Sequence, residues 1–292
     1  KTYYVSKAPG SSDANDGSYS FPFKTLSQAG KVARAGDTVI IREGVYRELF
    51  APKYDGEAMA PVTYKAMDGE NVVISALEEI KSFAPYKDNI YTANVGFNLG
   101  EGKNMVFYNG EAISEARYPN GPEISMSERG EKLSPLFPTE GDMHARTIDK
   151  EKYVISDTLL DQEDDYWKGA TVVSMHGVAW TLCTGKVTAS TKGKLTIGDT
   201  ASQWWYDGVE SDKRSFAYIT NHINAMDAPG EWIMQNKSLL IIPPEGADPS
   251  SMKLEMKKRQ LCIDIADRKY VHLEGIKTIG GGVRMNNSEM CM

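Results

Sequence analysis

The sequence predicts an all-β fold: a solenoid of short stacked strands, opened by a small amphipathic helix and interrupted by a β-rich insertion. Three observations carry this. Short apolar runs with period-two alternation recur near both ends of the chain, in TVII, PVTYKAM, NVVISAL, LCIDIA, YVHLEGI and GVRMNN. Their spacing repeats, with steps of 62 − 39 = 23 positions from Val39 to Val62 and 285 − 263 = 22 from Ile263 to Met285, both in the range of solenoid repeats. Between Phe83 and Ser251 that period lapses while hairpin signals persist.

The opening TYYVS carries aromatic and β-branched residues in alternation and reads as a strand. KAPGSSDANDGSYSFPF follows, a Gly, Ser, Asp and Pro cluster that reads as a surface loop. Within it, Asp13 to Gly17 superficially resembles a calcium loop, but its spacing misses the D-x-[DN]-x-[DN]-G pattern and Asx turns account for Asp and Asn there. Calcium is therefore unsupported, and no metal or cofactor is assigned. In KTLSQAGKVARAGD, Thr25 or Ser27 can cap a short helix that puts Leu26, Ala29, Val32 and Ala33 on one face, with Gly36 closing it. In TVIIREGVYREL, Val39 and Ile41 point one way, Ile40 and Arg42 the other, and the chain turns at Gly44. An open end of a stacked solenoid exposes apolar core, so a short amphipathic helix just before the first regular strand is suited to serve as its lid.

In the aperiodic stretch, Asn109-Gly110 sits between alternating apolar residues, and EWIMQNKSLLIIPP repeats that design with a turn at Asn236 to Ser238. So long a stretch with its own hairpins reads as a β-rich insertion rather than a loop. The expected division is a cap and first coils at 1–82, an insertion at 83–251, and resumed coils at 252–292, truncated at the C-terminus.

Composition sets limits on partners. The 292 residues, 41% hydrophobic, suffice for a substantial core. With 33 Lys plus Arg against 40 Asp plus Glu, a net charge of −7 disfavours a general nucleic-acid binder, which needs a basic face. No run reaches the about 18 apolar residues of a membrane span. Cys183, Cys262 and Cys291 follow no C-x-x-C spacing and read as free thiols, the first two buried among apolar neighbours. A start at Lys1 directly before a strand fits a mature secreted protein, extracellular or periplasmic, whose signal peptide has been removed.

TYYVS, GSSDANDGS, PFKTLSQAGKVARAGDTVIIREGVYRE and PVTYKAMDGENVVISA together resemble the opening of secreted right-handed parallel β-helix proteins, the pectate-lyase-like superfamily. The resemblance covers Thr2 to about Leu77 and, less specifically, Leu261 to Met292. EARYPN and APGEW…LLIIPPEGADP are similar to segments of β-helix proteins that carry an insertion after their first coils. VYRELFAPKYDG…VTYKAMDGENVVI looks like the β-helix β-xylosidases among the glycoside hydrolases, and alginate-lyase-like and chondroitinase-B-like lyases open with comparable phrases. The resemblance implies a right-handed parallel β-helix and a polysaccharide or oligosaccharide substrate. It carries no catalytic residue onto this chain, because the reacting groups of such enzymes usually lie on later coils.

Two chemistries predict different residues. A glycosidase needs two carboxyl groups roughly 5 to 9.5 Å apart. A uronate lyase needs a base and a cation that neutralises the substrate carboxylate as the enolate develops. On YVHLEGI, Val271, Leu273 and Ile276 face the core, which leaves His272 and Glu274 outward, and Arg284 has the same outward character one coil later. These three read either as a base, an acid and a cation or as polar residues on a solvated face. Lys257, Lys258 and Arg259 read either as a holder for an anionic sugar or as a charged strand edge. Trp204 and Tyr206 in QWWYDG share one face of a strand and can offer a stacking platform, or pack the insertion. His176 and Trp180 lie in an apolar run and read as core, Arg117 reads as a structural partner of a carboxylate, and the acidic cluster DQEDDYW, Asp161 to Trp167, reads as a solvated turn. A glycoside hydrolase is the leading expectation, with a polysaccharide lyase next and a non-catalytic adhesion solenoid as the alternative outside enzymes.

Overall fold

A computed structural model describes residues 1–120, 144–149, 152–156, 160–175, 182–198 and 216–292. The chain forms two compact units, one of Lys1–Ile80, Phe97–Gly110 and Lys253–Met292, the other of Lys81–Gly96 and Glu111–Met252.

The first unit opens with β1 (Thr2–Val5), α1 (Leu26–Val32), β2 (Thr38–Ile41), β3 (Gly44–Tyr46), β4 (Val62–Ala66), β5 (Val72–Ser75) and β6 (Leu77–Ile80). Three parallel sheets follow from these and from strands near the C-terminus. One has the order β1, β2, β4 and Val271–Glu274. A second has β3, β5 and Ile276–Ile279. A third pairs Leu261–Asp264 with Gly282–Arg284, and Phe50 bridges to Ile263 in the same parallel sense. The two distant stretches therefore share sheets, and they share one core: Val39, Ile41, Val62, Tyr64, Val72 and Ile74 pack in a cluster with Cys262, Ile263, Ile265 and Val271.

The register explains that core. Tyr3, Val39, Tyr64 and Leu273 stand in line across the first sheet on its inward side, while Thr2, Thr38, Thr63 and His272 stand in line on its outward side. The observed steps differ from those read off the pattern. Val39 pairs with Tyr64, a step of 64 − 39 = 25, and Ile263 with Val283, a step of 283 − 263 = 20. A period-two pattern fixes which face a residue takes but leaves the register undetermined by multiples of two, and the connecting turns set the remainder.

Helix α1 is capped by Thr25, whose hydroxyl accepts from Gln28 N at 3.1 Å. Glu48, at the end of the β3 turn, adds a second cap: Leu26 N and Ser27 N donate to its carboxylate at 3.1 and 2.8 Å. Leu26, Ala29 and Ala33 are fully buried in the same core as the parallel strands. Gly30 permits this approach, since a β-carbon there would stand 3.2 Å from the Phe50 ring. The outer edge of β1 is itself covered, with Tyr4 N donating to Gly17 O at 2.8 Å and Phe23 N to Tyr4 O at 2.9 Å, so the first strand leaves little edge for unwanted pairing.

Phe97–Gly110 belongs to this unit because Val106–Tyr108 pairs antiparallel with Leu254–Lys257, which pairs in turn with β6. Asn109 and Gly110 take positive φ of 53° and 83°, the geometry the Asn-Gly signal calls for.

The second unit is antiparallel. A seven-stranded sheet runs in the order Arg117–Tyr118, Phe216–Thr220, Thr171–Met175, Leu182–Thr191, Lys194–Gly198, Lys152–Ser156, His144–Asp149. A four-stranded sheet joins Trp232–Gln235, Ser238–Ile241, Ile90–Asn94 and Ala84–Lys87, with the hairpin turning at Asn236. Its core gathers Trp167, Leu195, Ile219 and Ile233. Among the described residues the unit's only helix is the single 3₁₀ turn Ile223–Ala225.

Candidate functional site

The first parallel sheet presents its outward side as rows of side chains in register. One row holds Thr2, Thr38, Thr63 and His272, the next Tyr4, Ile40, Lys65 and Glu274. Because the strands are parallel and in register, equivalent side chains recur at one strand spacing, about 4.8 Å. His272 is half-buried and Glu274 exposed, and the two sit on the same side of their strand, with Leu273 turned to the core between them. Lys65 stands opposite Glu274 in register, which sets a cation next to the carboxylate. Glu289–Met292 runs along the far edge of this strand: Tyr270 N donates to Glu289 O at 2.9 Å, Met292 N to Val271 O at 3.1 Å, and Leu273 N to Met292 O at 2.8 Å.

Arg284 does not join His272 and Glu274 in that sheet. It lies on Gly282–Arg284, in the sheet with Leu261–Asp264, where it pairs with Asp264: Nε donates to Oδ1 at 3.0 Å and Nη2 to Oδ2. The hydrogen bonds from Arg284 hold the Asp264 carboxyl below the usual carboxylate range.

Arg259 is likewise drawn into structure. Arg259 Nη1 donates to Glu78 Oε1 at 2.8 Å, and Nη2 reaches Ser75 O at 3.3 Å, while the backbone N–H groups of Lys258 and Arg259 both donate to Ala76 O. Lys257 stands in register with Leu77 on the half-buried side of its strand. Beside them, Glu79 and Glu255 face each other across β6 and Leu254–Lys257, and Arg47 Nη2 lies 3.2 and 2.7 Å from their carboxylates. Two like charges directly opposite each other are unfavourable, and the shared guanidinium offsets that repulsion. The sequence drew no attention to Arg47, Glu78, Glu79 or Glu255, since partners on different strands, 79 − 47 = 32 to 255 − 47 = 208 positions apart, leave no local signal.

The loop at Asp13 to Gly17 uses its carboxylates as caps. Asp13 Oδ1 accepts from Lys24 N and Thr25 N, both at 2.9 Å, and Asp16 Oδ1 accepts from Ser18 N at 2.9 Å. The acidic run forms a turn with Asp161 and Glu163 to Asp165 exposed and Asp165 paired with Lys168 at 3.0 Å. Its far end turns inward: Trp167 is 2% exposed and donates from Nε1 to Gln162 Oε1 at 2.8 Å. Arg117 stands on the edge strand of the seven-stranded sheet, opposite Thr220. Cys262 and Cys291 are free thiols, the first buried. His176, Trp180, Trp204, Tyr206 and the side chain of Cys183 lie outside the described residues. Among the described residues, no group of three or more His, Cys, Asp or Glu side chains converges as a metal site would, and no helix is long and apolar enough to cross a membrane.

No protein-family profile matches the chain. An uncharacterized Bacillus subtilis protein, YwoF, is 44% identical over 72 residues, which cover 25% of this chain and 15% of that one. Among solved structures, one described as a glycoside hydrolase superimposes on 96% of this chain with a TM-score of 0.72 at 17% identity, over 51% of its own length. A structure of XylC in complex with xylose matches 97% of this chain with a TM-score of 0.50 at 21% identity, over 36% of its own length. The chain thus spans about half of the glycoside hydrolase it resembles, and what the two share is the fold.

Proposed function

We propose that the chain is the N-terminal part of a right-handed parallel β-helix carbohydrate-active enzyme, a glycoside hydrolase acting on a polysaccharide or oligosaccharide. The three parallel sheets would be the faces of the first coils, and the antiparallel unit an inserted domain. The observation that carries this reading is the superposition of 96% of the chain on a solved glycoside hydrolase, supported by in-register parallel pairing between strands far apart in sequence.

Hydrolysis is favoured over β-elimination by the state of the arginines. A lyase needs a cation available to the substrate carboxylate. Arg259 is engaged by Glu78 and Arg284 by Asp264. Within the described residues, Glu274 with His272 is the outward acid–base pair of this sheet, and further coils would extend the same rows with the second carboxyl group that glycoside cleavage requires.

The test compares the 292-residue chain with a longer natural form on neutral xylan and on polygalacturonate. New reducing ends without the absorbance of an unsaturated uronate, in the longer form, are expected. Appearance of that absorbance would establish a lyase instead. Glycan binding without turnover in either form would favour a non-catalytic role.

A further inference from the structure

We propose that the turn Gly17–Phe21, with Tyr4, is a stacking platform for a neutral saccharide at the β1 end of the outward face; this rests on the carbohydrate reading above.

The aromatic residues here divide sharply. Tyr3 and Phe23 are buried, at 8% and 3% exposure, and stack on each other with centroids 5.8 Å apart. Tyr19 and Phe21, in the same loop, are 62% and 61% exposed. Their exposure is not a consequence of a loose loop. Gly17 N donates to Phe21 O at 3.0 Å, Phe21 N to Ser18 Oγ at 3.3 Å, and Ser18 N to Asp16 Oδ1 at 2.9 Å. Gly17 O and Phe23 N are both tied to Tyr4 of β1. A turn held this firmly that turns two large rings to water forgoes the stabilisation of burying them, about 25 cal/mol per Å². Such an arrangement marks a surface kept for a partner.

The surroundings specify which partner. Tyr19 meets Tyr4 edge-on at 5.2 Å and 90°, and the Arg42 guanidinium lies 6.0 Å from the Tyr19 centroid. Arg42 is itself fixed, with Nε donating to Glu70 Oε1 and Oε2 at 2.8 and 3.0 Å. Tyr4 begins the row that continues through Ile40 and Lys65 to Glu274. An exposed tyrosine ring beside an oriented guanidinium–carboxylate pair suits a pyranose, whose C–H face stacks on the ring while its hydroxyls donate and accept at the rim. The charges along this strip balance, Arg42 against Glu70 and Lys65 against Glu274, which suits a neutral sugar and not a uronate.

Affinity electrophoresis in gels containing soluble xylan, mixed-linkage β-glucan or polygalacturonate tests this on the 292-residue chain. Retardation by a neutral glycan is expected, with Tyr19→Ala weakening it about tenfold, a loss of the size that one aromatic contact supplies. Tyr86→Ala, which removes a ring 49% exposed on the other unit, should leave binding unchanged. Tyr19→Ala should also keep the wild-type melting temperature, since the ring supports little of the core. Equal retardation of wild type and Tyr19→Ala, preference for polygalacturonate, or no retardation by any of the three would overturn the platform. Turnover by the longer form reports on the hydrolase reading separately: turnover with Tyr19-independent binding sinks the platform alone, and Tyr19-dependent binding without turnover sinks the hydrolase alone.

Discussion

Asp264 and Arg284 face each other in register on two parallel strands, and Arg284 Nε donates to Asp264 Oδ1 at 3.0 Å. The pair joins one parallel strand to the next, so its loss should register as stability. The Asp264 carboxyl titrates below its ordinary value because of the hydrogen bonds from Arg284. A carboxyl depressed in the folded state contributes stability that is complete above the unfolded value, about 3.9, and is lost as pH falls through the folded one. Arg284→Gln should therefore be less stable than wild type at pH 7, with the difference vanishing in acid below both values. Urea titrations at a series of pH values check this; a difference that persists undiminished at pH 2 would show that the pair is not its source.

Much of this fold was legible in the sequence, and the omissions have physical causes. Alternation placed Val39, Ile41, Val62 and Val271 inward, because the side-chain period of a strand is two wherever the strand pairs. The step between paired parallel strands came out two residues off at each end, since a shift of two preserves every inward position. His272 and Glu274 stand on one outward side, a local property, while Arg284 lies in another sheet, where its partner Asp264 on a neighbouring strand is out of reach of a local reading. Arg259 looked like a surface cation for the same reason: Glu78, its carboxylate, lies 181 positions earlier. Tyr19 and Phe21 were hidden by composition, in a stretch whose Gly, Ser and Asp residues announce a loop and say nothing of how firmly it is held.

Glu48 makes helix α1 a tertiary as well as a local structure. Its carboxylate accepts from Leu26 N, Ser27 N and Ser27 Oγ, the last at 2.6 Å. A carboxylate on the first turn satisfies N–H groups without intrahelical partners and favours the positive end of the helix dipole. Glu48→Ala should cost about 1–2 kcal/mol, the range of a lost N-cap. Thr25→Ala, which removes the local cap, should cost a similar amount. If Glu48→Ala proves neutral in urea denaturation, the helix is held by the burial of Leu26 and Ala29 alone.

Two buried tyrosines should respond oppositely to loss of their hydroxyls. Tyr46 OH donates to Arg42 O at 2.8 Å, whereas Tyr64 OH, in a fully buried side chain packed edge-on against Phe50 at 4.8 Å, has no hydrogen-bond partner among the described residues. Desolvation raises both phenols above their ordinary range, so both stay neutral at any working pH. A hydrogen bond contributes about 0.5–1.5 kcal/mol, while a buried hydroxyl without one is a cost. Tyr46→Phe should destabilise by about 1 kcal/mol, and Tyr64→Phe should be neutral or stabilising. A loss for Tyr64→Phe as large as that for Tyr46→Phe would reveal a bond to this hydroxyl.

His222 should make the second unit sensitive to mild acid. Its Nδ1 accepts from Asn224 N at 3.3 Å, and its ring lies 6.1 Å from that of the buried Trp167. With Nδ1 accepting, the neutral ring carries its proton on Nε2, and protonation would turn Nδ1 into a donor facing another donor. Burial pushes the imidazole below its ordinary value, against a smaller opposing effect of a hydrogen bond with the Lys168 backbone. A histidine depressed in the folded state contributes stability that is complete above the unfolded value, about 6.5, and falls away as pH drops from there to the folded value. Wild type should therefore lose melting temperature between about pH 6.5 and pH 5 more steeply than His222→Gln, whose side chain does not titrate. Proton NMR of the imidazole, followed through the same range, should give a midpoint below 6.5; a midpoint above it would mean that the charged ring is stabilised in the fold and would reverse the predicted slope.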